Sequence, residues 1–355
     1  MRSGATSGAG ARLARVLYDL VRHLPLRIDG LETEGASLAI SPEFTRKTTT
    51  VVLAGGGHEG RGEDVTYAAE EHGERFPHPD LAGDWTLDSF SRSLDGVDLF
   101  PADAPDQAAY RDYRRWAFES AALDLALRQA GQSLGAAVRR DYQPVRFVSS
   151  TRAKSLDPWL ELYPDLRFKL DPTPEWSEEL VAELAAKGCV DTLDLKGRYH
   201  GTVVDNPPDP ELYRRVVDAF PQAWIEDPAF SPETEPLLMP YHDRITWDAP
   251  IHSWADVEAL DFPPNCLNSK PSRFGSVARL FEFYEHCEQH GIALYGGGQF
   301  ELGVGRGQIQ LLASLFHHAG PNDVAPGGYN GKPQPGLETS PLDPSPERTG
   351  FRRAA

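Results

Sequence analysis

Between residues 145 and 325, short apolar segments alternate with helical patterns, and this alternation restricts the fold more than any other feature. Alternation of strands and helices predicts a parallel sheet, because each helix returns the chain to the same edge. Seven or eight such units within about 180 residues predict a closed barrel rather than an open sheet. The predicted strands are the segments VRFVSS, LRFKLD, VDTLDLK, AWIEDP, RITWDAP, CLNSKPS and IALYGG.

The segments on either side of the predicted barrel have different patterns. Residues 1–21 are predicted to form a leader rich in glycine and alanine, followed by a short helix. Residues 22–140 are predicted to form an α+β capping domain, with β-branched segments first and a long helical pattern afterwards. The barrel is assigned to residues 141–325. Residues 326–355 are rich in proline and glycine and are expected either to pack on the capping domain or to be disordered.

The composition excludes several classes of partner. The net charge of −18 argues against a protein that tracks nucleic-acid phosphates or an anionic membrane surface. No segment approaches the roughly 20 apolar residues of a membrane span, so a cytoplasmic location is expected. The three cysteines, Cys189, Cys266 and Cys287, are too widely spaced for a zinc motif, and buried reduced thiols are expected.

Charged residues occur at the carboxyl ends of five successive predicted strands: Lys169, Asp194, Glu226, Asp248 and Lys270. Steps of about one strand–helix unit bring such residues to one rim of a barrel, where the active site of this architecture lies. Three converging carboxylates repel one another, so a divalent ion is expected between them. Oxygen ligands favour Mg²⁺, with Mn²⁺ as a substitute. A single acid after a strand is more often a turn residue or helix cap, so the prediction depends on the five residues together.

Several motifs carry a resemblance to a known family. The segments GRGEDVTY and AFESAALDLALRQAGQSL lie in the predicted capping domain, and RFKLD, LDLKG, WIEDP, TWDAP, NSKPSRFGS and YGGGQFELGVGR lie in the predicted barrel. Together they resemble the enolase superfamily, in the branch of muconate-lactonising enzymes and o-succinylbenzoate synthase. The resemblance spans roughly residues 25–330. It implies a TIM-type barrel modified to (β/α)7β, with an N-terminal α+β capping domain.

The resemblance also implies a role for each matching residue. It implies that Asp194, Glu226 and Asp248 bind the metal, and that Lys169 and Lys270 stand on opposite faces of the substrate. Asp227 is interpreted as a residue that supports the ligands or as a solvent-facing loop residue. The substrate-binding positions on this reading are Arg167, Lys196, Gly298, Gln299 and Glu301.

The implied chemistry is removal of the α proton of a small carboxylate, with Mg²⁺ stabilising the enolate. Lys169 is predicted to be the base, with a pKa lowered by burial, by the metal and by Arg167. Lys270 would stabilise the enolate or return a proton on the other face. Dehydration, as in o-succinylbenzoate synthase, and racemisation or cycloisomerisation remain open. The family is commonly oligomeric, so a homo-oligomer is compatible with the resemblance.

The sequence departs from the family pattern in ways that favour alternative functions. Lys196 stands where the family usually has asparagine, Ala249 stands where an acid is common, and the segment RYHGTVVDNPPD lengthens the third repeat. One alternative is therefore a divergent barrel that binds a ligand without metal-dependent catalysis, with Lys196 replacing the metal. Another is a structural subunit. Residues 55–80, including Tyr67 and Phe76, are expected to set specificity, with packing in the capping-domain core as the other reading of these aromatics.

Overall fold

The computed structural model describes residues 17–42, 44–199, 202 and 204–354. The predicted leader falls largely outside these residues, and a single 3₁₀ turn at Leu17–Leu20 is its described part. Among the helices that the structure describes, none combines the length and apolar character needed to cross a membrane. Cys189, Cys266 and Cys287 are free and buried, as expected from their spacing.

The capping domain combines two antiparallel sheets with one long helix. Its strands are β1 (Pro25–Ile28), β2 (Gly30–Ala39), β3 (Thr45–Gly55), β4 (His58–Asp64) and β5 (Gly83–Thr86), and its helices are α1 (Leu87–Ser93), α2 (Ala109–Gln129) and α3 (Leu134–Val138). β1 pairs with β5, and β2, β3 and β4 form the second sheet in that order. α2 lies close against β4 because Gly62 has no side chain: a Cβ there would stand 2.1 Å from the carbonyl oxygen of Ala117.

The second domain is a parallel barrel. Its strands are β6 (Ser149–Thr151), β7 (Phe168–Leu170), β8 (Val190–Asp194), β9 (Trp224–Glu226), β10 (Ile245–Trp247), β11 (Cys266–Ser269) and β12 (Ala293–Gly296). Its helices are α4 (Asp157–Leu160), α5 (Glu178–Ala186), α6 (Pro210–Ala219), α7 (Glu235–Leu238), α8 (Trp254–Glu258), α9 (Pro271–Phe274), α10 (Val277–His290) and α11 (Val304–Phe316). The strands pair side by side in chain order from β6 to β12. All seven correspond to strands predicted from the sequence.

Residues 321–324 close the barrel between β12 and β6. Single bridges join Phe147 to Asn322 and Gly297 to Asp323. The Asn322 side chain reinforces the closure: its Oδ1 accepts from the backbone N–H of Gly296 at 2.6 Å, and its Nδ2 donates to the carbonyl of Arg146 at 2.8 Å. The chain then continues into a 3₁₀ turn at Gly327–Asn330 instead of an eighth barrel helix. The architecture is thus the modified (β/α)7β barrel with an N-terminal capping domain.

The proline- and glycine-rich segment at residues 326–355 contacts both domains. Leu342 is buried and bridges Val145 of the barrel. Phe351 is buried as well, and its N–H donates to Oδ1 of Asp124 on α2 at 2.7 Å. Arg352 forms an ion pair with the same carboxylate at 2.9 Å. This segment therefore links the capping helix to the barrel.

His317, beside the closure, gives a prediction for the pH dependence of stability. It is buried, Nδ1 contacts Asn322 Oδ1 at 2.7 Å, and Nε2 has no hydrogen-bond partner. Burial lowers the pKa of His317 to about 4, against an ordinary value near 6.5. The unfolded chain thus binds more protons between these values, and the free energy of unfolding should fall as the pH drops from about 6.5 to 4, by about 3 kcal/mol from this residue.

The measurement is urea unfolding of the wild type and of His317→Asn at a series of pH values. The variant keeps a short side-chain amide near Asn322 but cannot titrate. We expect its loss of stability between pH 6.5 and pH 4 to be smaller than that of the wild type. Parallel pH profiles for the two proteins would contradict the assignment.

Candidate active site

The five charged residues predicted at strand ends converge on one rim of the barrel. Lys169 lies in β7, Asp194 and Glu226 are the last residues of β8 and β9, and Asp248 and Lys270 directly follow β10 and β11. Lys169 Nζ lies 3.0 Å from Asp194 Oδ2 and 2.5 Å from Glu226 Oε1. Lys270 Nζ lies 2.8 Å from Asp248 Oδ2. All five side chains are buried.

Three carboxylates of this rim form a candidate site for a divalent metal ion. Oxygen atoms of Asp194, Glu226 and Asp227 lie within 4.8 Å of one another, and all three residues are buried. Such a set of anionic oxygens fits a hard cation. Asp227 is not the solvent-facing residue that one reading of the sequence allowed. Its φ of 47° turns it inward, where its two oxygens accept from the backbone N–H groups of Asp248 and Ala249 at 2.9 and 2.8 Å.

Asp248, the third ligand implied by the resemblance, is instead surrounded by donors from the chain. Oδ1 accepts from Arg273 at 2.6 Å, and Oδ2 accepts from Tyr199 at 2.6 Å in addition to Lys270. Arg273 also donates to the Asp248 carbonyl. The three carboxylates that surround one point in the structure therefore include Asp227, whereas the sequence analysis assigned Asp248 as the third metal ligand.

Lys196 enters the cluster from the loop after β8. Its Nζ forms an ion pair with Asp194 Oδ2, and it stands 3.9 Å from Asp171 Oδ1. The residue has a φ of 56°, a left-handed conformation that places its side chain over the rim. The loop after β8 thus brings Lys196 to Asp194, and the segment that lengthens the third repeat brings Tyr199 to Asp248.

The charges of the cluster shift several pKa values. Burial would raise the pKa of Asp194, but Lys169 and Lys196 lower it to about 2. Burial, together with the other carboxylates, raises the pKa of Glu226 to about 8 despite Lys169. For Lys169 itself, burial favours the neutral amine, but Asp194 and Glu226 outweigh burial and raise the pKa well above its usual value. The lowering of the Lys169 pKa therefore does not come from the side chains of the cluster, and it stays a prediction for the metal-bound site.

Arg167 does not join the cluster. Its guanidinium contacts Asp191 Oδ1 at 2.5 Å and donates to the carbonyl of Gly188 at 2.8 Å, before β8 begins. Two residues along a strand correspond to about 6–7 Å, so Arg167 shares a strand face with Lys169 but stands towards the amino end of the barrel. The structure therefore gives no support to Arg167 as the cation beside Lys169 or as a substrate-binding residue.

The loop between β12 and α11 carries Gly298, Gln299 and Glu301. Gly298 lines a cavity of about 680 Å³ at this rim, together with Tyr67 of the capping domain and Arg306. Gln299 and Glu301 are buried: Gln299 Nε2 contacts Tyr113 Oη at 2.9 Å, and Glu301 Oε1 accepts from the Gln299 N–H at 2.7 Å. Of these three predicted substrate-binding residues, Gly298 is therefore the one that lines the cavity.

The two aromatic residues that the sequence analysis assigned to specificity have separate positions. Tyr67 lines the cavity and is about one-third exposed. Phe76 is buried in the capping domain, where its ring stacks on Phe118 with centroids 6.0 Å apart. The core reading therefore holds for Phe76.

Two buried charged residues of the capping domain hold the β12–α11 loop. Arg46 donates to the carbonyls of Gln299 at 2.8 Å and Phe300 at 3.1 Å. Glu63 accepts from the N–H groups of Leu302, Gly303 and Gly305 at 2.7 to 3.0 Å, and so caps the start of α11. The sequence analysis assigned a role to neither residue, although Glu63 lies in the quoted motif GRGEDVTY.

Two further acids lie at the rim but were not singled out in the sequence analysis. Asp171 directly follows β7, lines the cavity and pairs with Arg152 at 3.0 Å. Asp323 stands in the closing segment, 3.9 Å from Lys169 Nζ. The end-of-strand position could have identified Asp171, whereas Asp323 follows no strand. Tyr199, in an irregular loop, carried no such signal.

Two family models match the chain, one in each domain. Residues 141–331 match the family described as "Domain of unknown function (DUF8230) C-terminal domain", and residues 19–137 match its N-terminal domain. The o-succinylbenzoate synthase of Bacillus subtilis (strain 168) is 34% identical over 59 residues, which are 17% of this chain and 16% of that protein. This match thus spans less than a fifth of the relative's length.

Solved structures resemble the chain over most of its length. A protein from Enterococcus faecalis V583, described as an unknown member of the enolase superfamily, has a TM-score of 0.59 and 20% identity, covering 84% of this chain and 86% of that one. A dipeptide epimerase from Methylococcus capsulatus, complexed with Mg, has a TM-score of 0.68 and 17% identity, covering 92% and 99%. At these identities the likeness establishes the fold, a capping domain on a (β/α) barrel.

Proposed function

Because the chain belongs to the DUF8230 family and has the fold of the enolase superfamily, we propose that it is an enzyme that removes the proton α to a carboxylate. The observation that supports this most is the meeting of two buried lysines, Lys169 and Lys270, with buried carboxylates at the carboxyl rim of the barrel. A scaffold protein has no need of such a cluster, because buried charges are costly to desolvate.

We propose that a divalent ion, Mg²⁺ in preference to Mn²⁺, is held by Asp194, Glu226 and either Asp227 or Asp248. When bound, the ion would stabilise the negative charge that develops on the carboxylate of the substrate. Asp194 and Glu226 share Lys169 as a counter-charge. If these carboxylates bound the ion, the buried ammonium of Lys169 would lose its partners. Burial would then favour the neutral amine that a base requires.

Each lysine has a separate proposed role. Lys169 accepts the α proton at Nζ. Lys270 is held by Asp248, and it donates from the other side of the rim to the enolate or returns the proton. Lys270 Nζ lies 2.8 Å from Asp248 Oδ2, an oxygen that also accepts from Tyr199, and this pairing holds the ammonium in place to donate to the enolate. Two lysines allow racemisation, and one suffices for elimination of water, so the cluster is compatible with both an isomerase and a lyase.

The experiment measures metal-dependent exchange of α protons. The purified protein is incubated in D₂O with MgCl₂ or EDTA and with carboxylates of the kind bound by a solved dipeptide epimerase, namely dipeptides such as L-Arg-D-Lys. NMR then follows the loss of the α-proton signal. We expect exchange with at least one of these compounds in MgCl₂ and none in EDTA. Exchange that is equally fast in EDTA, or no exchange together with no binding of Mg²⁺ by calorimetry, would argue against the proposal.

A second candidate function is a barrel that binds a ligand without a metal. It is favoured by the donors around the cluster, since each carboxylate oxygen of Asp194, Glu226 and Asp248 accepts from a group of the chain itself. Besides the lysines, these donors include Tyr295 Oη, 2.6 Å from Glu226 Oε2, and the Lys196 N–H, 3.2 Å from Asp194 Oδ1. The calorimetric titration with Mg²⁺ separates the two candidates directly.

A further inference from the structure

We propose that Lys196 is an internal counter-cation that a divalent ion must displace from Asp194, and that this lysine sets the metal affinity of the site. The displaced ammonium moves to Asp171, at the edge of the cavity. This inference rests on the proposed function, since it concerns the metal site named there. It assigns a role to one of the residues by which the sequence departs from the pattern of the enolase superfamily.

The charges of the cluster explain why an ammonium has to leave. Four buried carboxylates, those of Asp194, Glu226, Asp227 and Asp248, face four cationic groups, those of Lys169, Lys196, Lys270 and Arg273. The formal charge of these eight buried groups is therefore balanced without an ion, while the partly exposed Asp323 stands 3.9 Å from Lys169 Nζ. A divalent cation entering this cluster would create an excess of two positive charges in a buried place, where unbalanced charge is unfavourable. Removal of one ammonium from the carboxylates reduces that excess.

Lys196 is the cation best placed to move. Its side chain is 14% exposed, whereas that of Lys169 is 2% exposed and is held between two carboxylates. Lys270 and Arg273 both bind Asp248, which is not part of the group of three carboxylates around one point. Lys196 instead contacts Asp194, which belongs to that group. An incoming ion and Lys196 thus compete for the same oxygen.

Asp171 offers the displaced ammonium a second acceptor. Its Oδ1 is buried, has no hydrogen-bond partner and lies 3.9 Å from Lys196 Nζ. The other oxygen of the same carboxylate is occupied by Arg152 at 3.0 Å. A buried carboxylate oxygen without a hydrogen bond is unfavourable, so a shift of Lys196 towards Asp171 gives this oxygen the hydrogen bond that it lacks in the present arrangement.

The backbone at Lys196 stays in place during such a shift. The Gly197 N–H donates to the Asp227 carbonyl at 2.8 Å, and the Lys196 carbonyl accepts from the Asn206 N–H at 3.0 Å. A Cβ at position 197 would stand 2.3 Å from the backbone nitrogen of Ala229, so this close packing requires glycine. The movement is therefore confined to the Lys196 side chain, which needs only a rotamer change.

Calorimetric titration of EDTA-treated protein with MgCl₂ tests the proposal without any substrate. Lys196→Asn is the main variant, because asparagine tolerates the left-handed backbone at this position. We expect it to bind Mg²⁺ at least about tenfold more tightly than the wild type. Asp171→Asn should weaken binding in the wild-type background and have no effect in the Lys196→Asn background, since the ammonium that needs Asp171 is then absent. Lys187→Asn, which removes a lysine paired with Asp157 elsewhere on the barrel, is the control and should leave the affinity unchanged.

The outcomes separate this inference from the proposed function. Equal affinities of the wild type and Lys196→Asn would overturn the role of Lys196 and leave a metal-dependent enzyme standing. Absence of binding in both proteins, with folding verified by circular dichroism, would overturn both. Tighter binding by Lys196→Asn with no effect of Asp171→Asn in either background would overturn the move to Asp171.

Discussion

Lys169→Met is expected to reduce metal-dependent α-proton exchange by a factor of about 10³ or more. The amine of Lys169 is the proposed proton acceptor, and methionine keeps a chain of similar length but cannot take a proton. The side chain is buried between Asp194 and Glu226, so water has little access to replace it as the base. The rate is measured by NMR in D₂O with the compound that exchanges fastest in the wild type.

The control for Lys169→Met is Lys187→Met. Lys187 directly follows α5 and so precedes the amino end of β8, at the end of the barrel opposite the active-site rim. It forms an ion pair with Asp157 on the outside of the barrel. Exchange by this variant should match the wild type. Retained exchange in Lys169→Met would show that Lys169 is not the base. Because Lys169→Met leaves the buried Glu226 without its lysine and leaves Asp194 with Lys196 alone, thermal unfolding of this variant is measured in parallel to separate loss of the base from loss of the fold.

The arrangement of the barrel could be predicted from the sequence because it depends on local patterns. Each strand is a short apolar run, and parallel strands place their carboxyl ends at one rim. For this reason the sequence alone predicts that five residues far apart in the chain lie close together, namely Lys169, Asp194, Glu226, Asp248 and Lys270. Their convergence required no knowledge of a particular side-chain conformation.

The assignment of roles within the cluster could not be predicted in the same way. Asp227 turns inward through a left-handed backbone conformation, which an Asp-Pro segment does not reveal. Lys196 and Tyr199 reach the carboxylates from an irregular loop, where no period relates sequence position to direction. Arg167 is on the expected face of its strand, but the distance along the strand and the carboxylate of Asp191 place it away from the rim. Such outcomes depend on contacts between distant parts of the chain.

The contact between the two domains at the β12–α11 loop also depends on distant parts of the chain. Its loss is expected to have a large effect on stability. Glu63→Ala is expected to lower the free energy of unfolding by about 3–5 kcal/mol, because three backbone donors at the start of α11 lose their acceptor in a buried place. These donors are the N–H groups of Leu302, Gly303 and Gly305. The measurement is urea unfolding at neutral pH.

Glu59→Ala is the matched control for Glu63→Ala, because both glutamates lie on β4 while Glu59 is exposed and pairs with Arg61 on the surface. It should change the free energy of unfolding by less than about 1 kcal/mol. Hydrogen exchange gives a second readout: in Glu63→Ala the amides of residues 302–305 should exchange faster than those of the second half of α11, since Glu63 caps only the first turn. Equal stability losses in the two variants would contradict a specific cap. Unchanged exchange at residues 302–305 would mean that the N–H groups find other acceptors, and Glu63 would then not hold the loop that borders the cavity.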